Sequence, residues 1–348
     1  MAETAPSEPT GAALTNPAQF KAIADAIRAK TGETGAIVAN DFATKIAAIS
    51  AGVAKPSWVQ STMPTSTAWQ SVCYGNGKFV AVVRGSNIAA YSTDGITWTQ
   101  STLPASASWY SVCYGDGKFV AMANNSSIAA YSTDGINWTQ STLPGSRNWN
   151  SVCYGNGKFV AVCSGALLPA YSTDGITWTS ARMPVSADWR SVCYGNGKFV
   201  AVTSSMSNVA AYSTDGINWT QTTLPVSVNW NSVCYGDGKF VVVAHSANKY
   251  YMPTHIAAYS TDGINWTQTS INNSKARNSV CYGNGKFVVM NSTDNIAEYS
   301  TNGINWTQTT LPVKASWLSV CYGNGKFVAV AYNNSIAAYL KDSFDEWA

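Results

Sequence analysis

The residues that could perform acid–base or metal chemistry are few in this chain of 348 residues. Its two histidines are His245 and His255, and Glu298 is the only Glu between residues 34 and 345. A zinc site needs three or four spaced ligands, and most glycoside hydrolysis needs two placed carboxylates. We therefore predict no catalytic residues, no metal and no cofactor, and we interpret the protein as not an enzyme.

Aromatic and basic residues could instead bind a ligand. Six copies of Ser-Val-Cys-Tyr-Gly have Trp two residues upstream, and one has Arg277 there. These Trp residues could stack on sugars or wedge between neighbouring units, and the Arg277 exchange favours exposure because Arg tolerates burial poorly. The candidate ligand-binding residues are Trp69, Trp109, Tyr110, Trp149, Asn150, Trp189, Arg190, Trp230, Asn231, Arg277, Trp317, Arg84 and Arg147.

The elements that position these residues are repeats. The Ser-Val-Cys-Tyr-Gly copies define seven units of about 41 residues. Each unit contains four segments rich in aromatic and β-branched residues, which predict strands. In the first unit they are a (71–74), b (78–82), c (88–92) and d (97–102). Asn76-Gly77 and Thr93-Asp94-Gly95 are typical of the turns between antiparallel strands.

Four short strands repeated seven times predict an all-β fold, a seven-bladed β-propeller of four-stranded antiparallel blades over residues 57–348. A solenoid is the alternative, but it would need polar caps at both ends. The segment from Trp58 to Pro64 copies strand d and precedes the first strand a. We expect this N-terminal strand to pair with the Tyr339 strand and close the ring.

The segment Ser92-Thr-Asp-Gly-Ile-Thr-Trp98 resembles the Asp-box, or bacterial neuraminidase repeat, although it is one residue shorter than the commoner spacing. The resemblance implies that the Asp side chains hold turns rather than catalyse. These residues are Asp94, Asp134, Asp174, Asp215 and Asp262, with Asn302 in the sixth unit. A sialidase-like enzyme would also need, by resemblance, an arginine triad, a Tyr–Glu pair and an Asp acid, and this pattern is not found.

The units differ from one another mainly in their b–c and d–a connections, which should share one face of an up-and-down blade. Variation on a rigid support is typical of binding loops, although loop drift is the alternative. The basic residues assigned to this face, Arg84, Arg147, Arg190, Lys249, Lys275, Arg277 and Lys314, outnumber Asp188 and Asp294. This excess favours a neutral or anionic glycan. The net charge of +3 is too small to indicate a nucleic-acid partner.

The N-terminal part differs in composition. Residues 1–14 are interpreted as a flexible lead-in, 15–50 as two short amphipathic helices, and 51–56 as a linker. The stretches 23–32 and 41–49 resemble a segment of tail and baseplate proteins of phages of Gram-positive bacteria. The resemblance implies that residues 15–50 attach the protein to other tail subunits or form a homo-oligomer.

Together these features favour a phage-tail receptor-binding protein that recognises a host surface glycan or protein without cutting it. A stand-alone lectin-like module and, less favoured, an Asp-box glycosidase are the alternatives. The N-terminus has no basic and apolar signal-peptide pattern, and no apolar run has membrane-spanning length. We expect assembly in the host cytoplasm, location in the virion tail, and eight Cys as free thiols.

Overall fold

The computed structural model describes Asp25, Arg28 and residues 57–245, 255–272, 276–292 and 294–341. The chain divides into two compact units, Met1–Lys55 and Pro56–Ala348. In the first unit Asp25 and Arg28 are helical, and Arg28 Nη1 donates to Asp25 Oδ1 at 2.7 Å. The lead-in, the linker and the rest of the expected helical segment lie outside the described residues.

The second unit is built of strands, which confirms the all-β prediction. The strands are β1 (Ser57–Thr67), β2 (Trp69–Gly75), β3 (Lys78–Ser92), β4 (Thr99–Gly115), β5 (Lys118–Ala123), β6 (Ser126–Ser132), β7 (Thr139–Gly155), β8 (Lys158–Ser164), β9 (Ala170–Ser172), β10 (Thr179–Ser180), β11 (Trp189–Gly195), β12 (Lys198–Thr203), β13 (Ser207–Ser213), β14 (Thr220–Gly236), β15 (Lys239–His245), β16 (Ile256–Ser260), β17 (Thr267–Ser270), β18 (Arg277–Gly283), β19 (Lys286–Asn291), β20 (Asp294–Ser300), β21 (Thr307–Ala315), β22 (Trp317–Gly323), β23 (Lys326–Ala331) and β24 (Asn334–Lys341).

Each repeat follows the predicted a–b–c–d order as an antiparallel meander. In the second repeat Tyr114 pairs with Phe119, and Phe119 pairs with Ser132. The a–b turn of the first repeat has φ of 44° at Asn76 and 73° at Gly77. Positive φ at both central residues matches the right-handed twist of a two-residue hairpin, which explains the Asn-Gly pair.

Several strands are longer than the sequence predicts. The strand β3 contains segments b and c of the first repeat, and β4, β7 and β14 each contain segment d of one repeat and segment a of the next. The repeats are therefore joined by continuous strands at these positions, so the expected d–a loops are part of extended strands.

The N-terminal strand is paired with the last one. Strand β1 lies beside β24 in a four-stranded sheet of order β1-β24-β23-β22, with Trp58 opposite Leu340 and Val59 opposite Tyr339. Segments from both ends of the second unit thus share one sheet.

Successive repeats pack through a repeated contact of Gly with Tyr. A Cβ placed on Gly75 would lie 1.9 Å from Cγ of Tyr114, and one on Gly155 would lie 2.0 Å from Cγ of Tyr194. The same contact joins Gly323 of the last repeat to Tyr74 of the first, at 2.0 Å. Only glycine leaves room for these rings, which explains Gly at the end of segment a.

A second cyclic set of contacts lies on the a segments. The backbone N–H of Val112 donates to Ser71 Oγ of the preceding repeat at 3.2 Å, and Val72 donates to Ser319 Oγ at 3.1 Å. The equivalent bonds join the other neighbouring pairs of repeats. These serines satisfy backbone donors that have no strand beside them.

The cysteines are free thiols, as predicted. Burial raises the pKa of Cys73, and the neighbouring thiols of Cys321 and Cys113 raise it further. A protonated buried thiol behaves as a small apolar group, so these residues fill space between repeats.

Candidate functional site

The Trp residues that the sequence offered for ligand stacking are buried. Trp69, Trp109, Trp149, Trp230 and Trp317 are 0% exposed, and Trp189 is 1% exposed. The indole N–H of Trp69 donates to the carbonyl of Thr65 at 3.1 Å, and most of the other indoles make the same bond. The prediction that they bind a ligand is therefore wrong, because no ring face is open to one.

Arg277 is also buried, so the argument that it marks an exposed position is wrong. Both Arg277 and Glu298 are 0% exposed, and Arg277 Nη2 lies 3.7 Å from Glu298 Oε1. Burial lowers the pKa of Arg277, whereas the Glu298 carboxylate raises it. Burial raises the pKa of Glu298, and Arg277 and a hydrogen bond with Asn291 oppose that rise.

The sixth repeat therefore changes three buried positions together. Arg277 stands where six repeats have Trp, Glu298 where they have Ala, and Asn291 where they have small or apolar residues and one Thr. Arg277 is opposite Asn291 in the strand register. A buried cation needs a counter-charge, which Glu298 provides.

The b–c and d–a connections do lie together. Arg84 pairs with Ser108 and Ser86 pairs with Ala107 in the register of β3 and β4. The backbone N–H of Arg84 donates to the carbonyl of Ala68 at 2.9 Å. We call the surface formed by these connections the variable face.

On the variable face, the residues that directly precede the seven a segments form a set that we call the inner ring. It consists of the residue that precedes the Ser of each Ser-Val-Cys-Tyr-Gly copy, namely Gln70, Tyr110, Asn150, Arg190, Asn231, Asn278 and Leu318. These seven residues line one cavity of about 140 Å³ together with the Ser that follows each of them. The serines are identical in all repeats, whereas the inner ring contains five residue types.

An outer ring lies around the inner one. It consists of the residue six positions after the Lys that begins each b segment. These residues are Arg84, Asn124, Ser164, Ser204, His245, Ser292 and Tyr332. Arg84, His245, Ser292 and Tyr332 line a second cavity of about 320 Å³ with Arg190 and other inner-ring residues. Ser204 and His245 line a third, of about 430 Å³, which again includes Arg190. The three cavities share lining residues, and we call them together the funnel.

Arg190 is held in place by its neighbours in the inner ring. Its Nε donates to Asn231 Oδ1 at 2.8 Å, and its Nη1 donates to Tyr110 Oη at 2.8 Å. The guanidinium carbon lies 5.3 Å from the centroid of the Tyr110 ring. These contacts fix the orientation of the only charged side chain in the inner ring.

The amides of the inner ring bind the backbone of the next repeat. Asn150 Nδ2 donates to the carbonyl of Trp189 at 2.8 Å, and Asn278 Nδ2 to that of Trp317 at 2.8 Å. Asn231 Nδ2 donates to the carbonyl of Arg277 at 3.0 Å. The backbone below the funnel is therefore fixed by the same side chains that line it.

The charge assigned to the variable face needs correction. Arg277 faces Glu298 in the interior and adds no positive charge to the surface. Lys249 and Lys275 lie outside the described residues. Arg84, Arg147, Arg190 and Lys314 remain, opposite Asp188 and Asp294. Arg147 is not in the funnel; its guanidinium carbon lies 5.5 Å from the ring centroid of Trp149.

The sequence therefore identified five funnel residues, Tyr110, Asn150, Arg190, Asn231 and Arg84. It missed Gln70, Asn278 and Leu318 in the inner ring and most of the outer ring. Alignment of the seven units would have revealed both rings, because these positions vary between an invariant strand and the connections.

The funnel shows no metal site. No group of three His, Cys, Asp or Glu that could hold a metal occurs among the described residues. His245 lines the funnel, whereas His255 Nδ1 is 3.0 Å from the carbonyl oxygen of Ile271. Within the described part of the chain, no helix is long and apolar enough to cross a membrane.

No family model matches the chain, and no curated protein matches its sequence. Solved β-propellers are similar in fold. The WD40 propeller domain of Doa1 is 14% identical with a TM-score of 0.63, covering 84% of this chain and 99% of that one. The propeller fold is therefore supported, at identities that show the fold alone.

Enzymes are among the similar structures. A streptogramin B lyase structure is 12% identical with a TM-score of 0.71, covering 82% of this chain and 98% of that one. A catalytically inactive virginiamycin B lyase from Staphylococcus aureus with quinupristin is 12% identical, with a TM-score of 0.72 and coverages of 83% and 100%. These findings contradict the expectation that the protein is not an enzyme, because lyases have this fold. The chain is thus similar in fold to β-propellers that include enzymes.

Proposed function

We propose that the seven repeats form seven blades around one axis and that β1 completes the last blade. The pairing of Val59 with Tyr339 supports this arrangement. So does the contact of Tyr74 with Gly323, which repeats between the last and first units the contact made between all other neighbours. Continuous strands such as β4 connect one blade with the next.

The variable face is the binding surface of this molecule. The observation that supports this function is the concentration of sequence differences in the inner and outer rings, beside a Ser-Val-Cys-Tyr-Gly strand that is identical in every repeat. Packing restricts that strand, whereas most residues of the two rings border the cavities. A rigid support that presents varied side chains on one face is suited to the recognition of a particular partner.

The protein is proposed to be a receptor-binding protein of a phage tail. The variable face would meet a glycan or protein of the host surface, and residues 15–50 would join other tail subunits or further copies of this chain. Resemblance of stretches 23–32 and 41–49 to tail and baseplate segments supports this role. A stand-alone lectin-like module is the second candidate, supported by the same funnel.

This function can be tested by measuring how the full chain, labelled with a fluorophore, binds to a panel of Gram-positive cells and to a glycan array. The double variant Arg84→Ala/Tyr332→Ala changes two outer-ring residues and should weaken binding about tenfold or more. The matched control, Lys118→Ala/Lys158→Ala, changes two residues beside a–b turns, away from the variable face, and should bind as the wild type does. Equal loss in both variants, or binding to no cell and no glycan, contradicts the proposal.

Incorporation into particles separates the two candidates. A tail protein should be found in purified virions, and deletion of residues 1–55 should abolish this incorporation while leaving cell binding intact. A stand-alone lectin-like module would bind cells but would be absent from virions.

A further inference from the structure

The funnel is asymmetric, and its inner ring has its charge on one side chain. Six of the seven inner-ring positions are neutral, and Arg190 is the seventh. No Asp or Glu is among the described residues that line the three cavities, whereas Arg84 and His245 line them with Arg190. The Asp188 carboxylate accepts from the Ser205 hydroxyl beside the third cavity, so one acid stands near two arginines and the funnel has an excess of positive charge.

Arg190 is prepared to bind an oxyanion. Its bonds to Asn231 and Tyr110 involve Nε and Nη1, and no described side chain or backbone oxygen accepts from Nη2. All three cavities include Arg190, and the residue is partly exposed. A guanidinium fixed in advance loses little freedom when it binds a carboxylate or phosphate.

The other residues of the funnel suit a sugar. Gln70, Asn278 and the serine hydroxyls can exchange hydrogen bonds with hydroxyl groups. Leu318 and Tyr332 line the same cavity as Arg190 and offer apolar surface for the carbon face of a ring. With about 320 Å³, this cavity has the size of a small-molecule site.

We propose that the funnel is a single binding site for a sugar unit that has one carboxylate or phosphate group, with Arg190 binding the anion. The site is one for each chain, not one for each repeat, because only one repeat supplies a cation to the inner ring. This proposal rests on the proposed binding function of the variable face and specifies the ligand class of that face.

Titration of the full chain with three small probes tests the proposal, with calorimetry and ligand-observed NMR as the two measurements of binding. The probes are glucuronate, glucose 6-phosphate and glucose. At least one of the two anions should bind with one site for each chain and at least tenfold more tightly than glucose. The carboxylate and phosphate probes distinguish the two sources of the anion.

Arg190→Gln should lower the association constant of the bound anion at least tenfold. Arg147→Gln removes the same charge from the same face outside the funnel and should change the constant less than twofold. Arg190→Lys keeps the positive charge but removes the planar guanidinium, so it should lower the association constant by an intermediate factor. Thermal unfolding of each variant shows whether the loss occurs in a folded protein.

The remaining outcomes overturn the proposal: neither anion binds more tightly than glucose, several equivalent sites are found, or Arg190→Gln and Arg147→Gln have equal effects. If the chain binds cells and Arg190→Gln leaves that binding unchanged, the face binds a receptor but the anion site is wrong. If an anion binds at Arg190 and no cell is bound, the site stands and the receptor-binding function fails.

Discussion

At the scale of single residues, the Asp of each c–d turn acts as a hydrogen-bond acceptor. Asp94 Oδ1 accepts from the backbone N–H groups of Ile96 and Thr97 and from the Ser92 hydroxyl, each at 2.8 Å. The backbone N–H of Gly95 donates to Ser92 Oγ at 2.8 Å. One oxygen of the Asp94 carboxylate is thus occupied by groups of its own turn.

The charge on these turns makes folding sensitive to acid. Burial raises the pKa of Asp174, but hydrogen bonds from the backbone of Thr177 and Ile176 and from the Ser172 hydroxyl outweigh this effect and lower the pKa to about 2. The value in an unfolded chain is about 3.9. Because the folded pKa is the lower one, this contribution to stability is complete above about pH 4 and is lost as the pH falls towards 2.

The variant Asp174→Asn should therefore lose part of this acid sensitivity. Asn302 already shows that an amide can form the turn, since its Oδ1 accepts from the backbone of Ile304 and Asn305 at 2.9 Å. Urea unfolding between pH 7 and pH 2 should show a smaller fall in the free energy of unfolding for Asp174→Asn than for the wild type. The reverse variant, Asn302→Asp, should show a larger fall, and parallel pH profiles for all three proteins would contradict this account.

Arg277 shows where prediction from single residues fails. Its exposure was inferred from the usual cost of burying a guanidinium, but Glu298, 21 positions later, stands within 3.7 Å of it. The signal was present in the sequence, because Glu298 replaces an Ala of the other repeats. Only the packing of β18, β19 and β20 in one sheet brings the two side chains together, and neither position alone reveals that packing.

At the scale of elements, the hairpins could be predicted because their turns need special backbone angles. Asn or Asp followed by Gly marks every a–b turn, and these residues have positive φ in the structure. The extents of the strands could not be predicted in the same way. Ser86 and Ala107 lie in the connections that follow segments b and d, yet they pair and extend β3 and β4 because the two connections lie side by side.

The contact of Gly with Tyr determines how closely neighbouring repeats approach. In Gly155→Ala the new Cβ would overlap the ring of Tyr194, at 2.0 Å from Cγ, and the repeats would have to separate. We expect a loss of about 1–3 kcal/mol or more in the free energy of unfolding. The double variant Gly155→Ala/Tyr194→Ala should lose less than the sum of the two single losses, because the overlap is absent.

Gly157→Ala is the control for this experiment, with urea unfolding as the measurement. Gly157 has a φ of 71° and no atom within 4 Å of an added Cβ, so its loss should come from backbone strain of about 1–2 kcal/mol. That loss should be independent of Tyr194. If Tyr194→Ala showed the same coupling energy with Gly157→Ala as with Gly155→Ala, the steric explanation would be refuted.

At the scale of the whole molecule, the sequence repeats were sufficient to predict an all-β propeller fold. They did not show that the two rings line one set of cavities, because the inner ring alone takes one residue from each of seven distant segments. Gln70 and Leu318 lie far apart in sequence and line the same cavity. The identity of the site therefore depends on the whole arrangement of repeats, and no local motif signals it.

The joining of the two ends of the second unit can be tested at Trp58. This residue of β1 is 5% exposed and packs in a cluster with Trp317 and Leu340. Trp58→Ala should lower the free energy of unfolding by about 3–5 kcal/mol, as is usual for truncation of a buried aromatic residue. The neighbouring exposed residue provides the control, because Gln60→Ala should change it by less than about 0.5 kcal/mol. Equal effects in urea unfolding would mean that β1 contributes little to the core.

The pairing of β1 with β24 also has a consequence for synthesis on the ribosome. Roughly 270 residues separate the two strands, which at about 5–20 residues per second amounts to roughly 13–54 s of translation. During this time the nascent β1 has no β24 to pair with, so its backbone donors and its Trp58 side chain are open to other chains. A polysome that produces this protein would therefore hold many such unpaired strands close together, and chaperone binding to the first sixty or seventy residues would protect them.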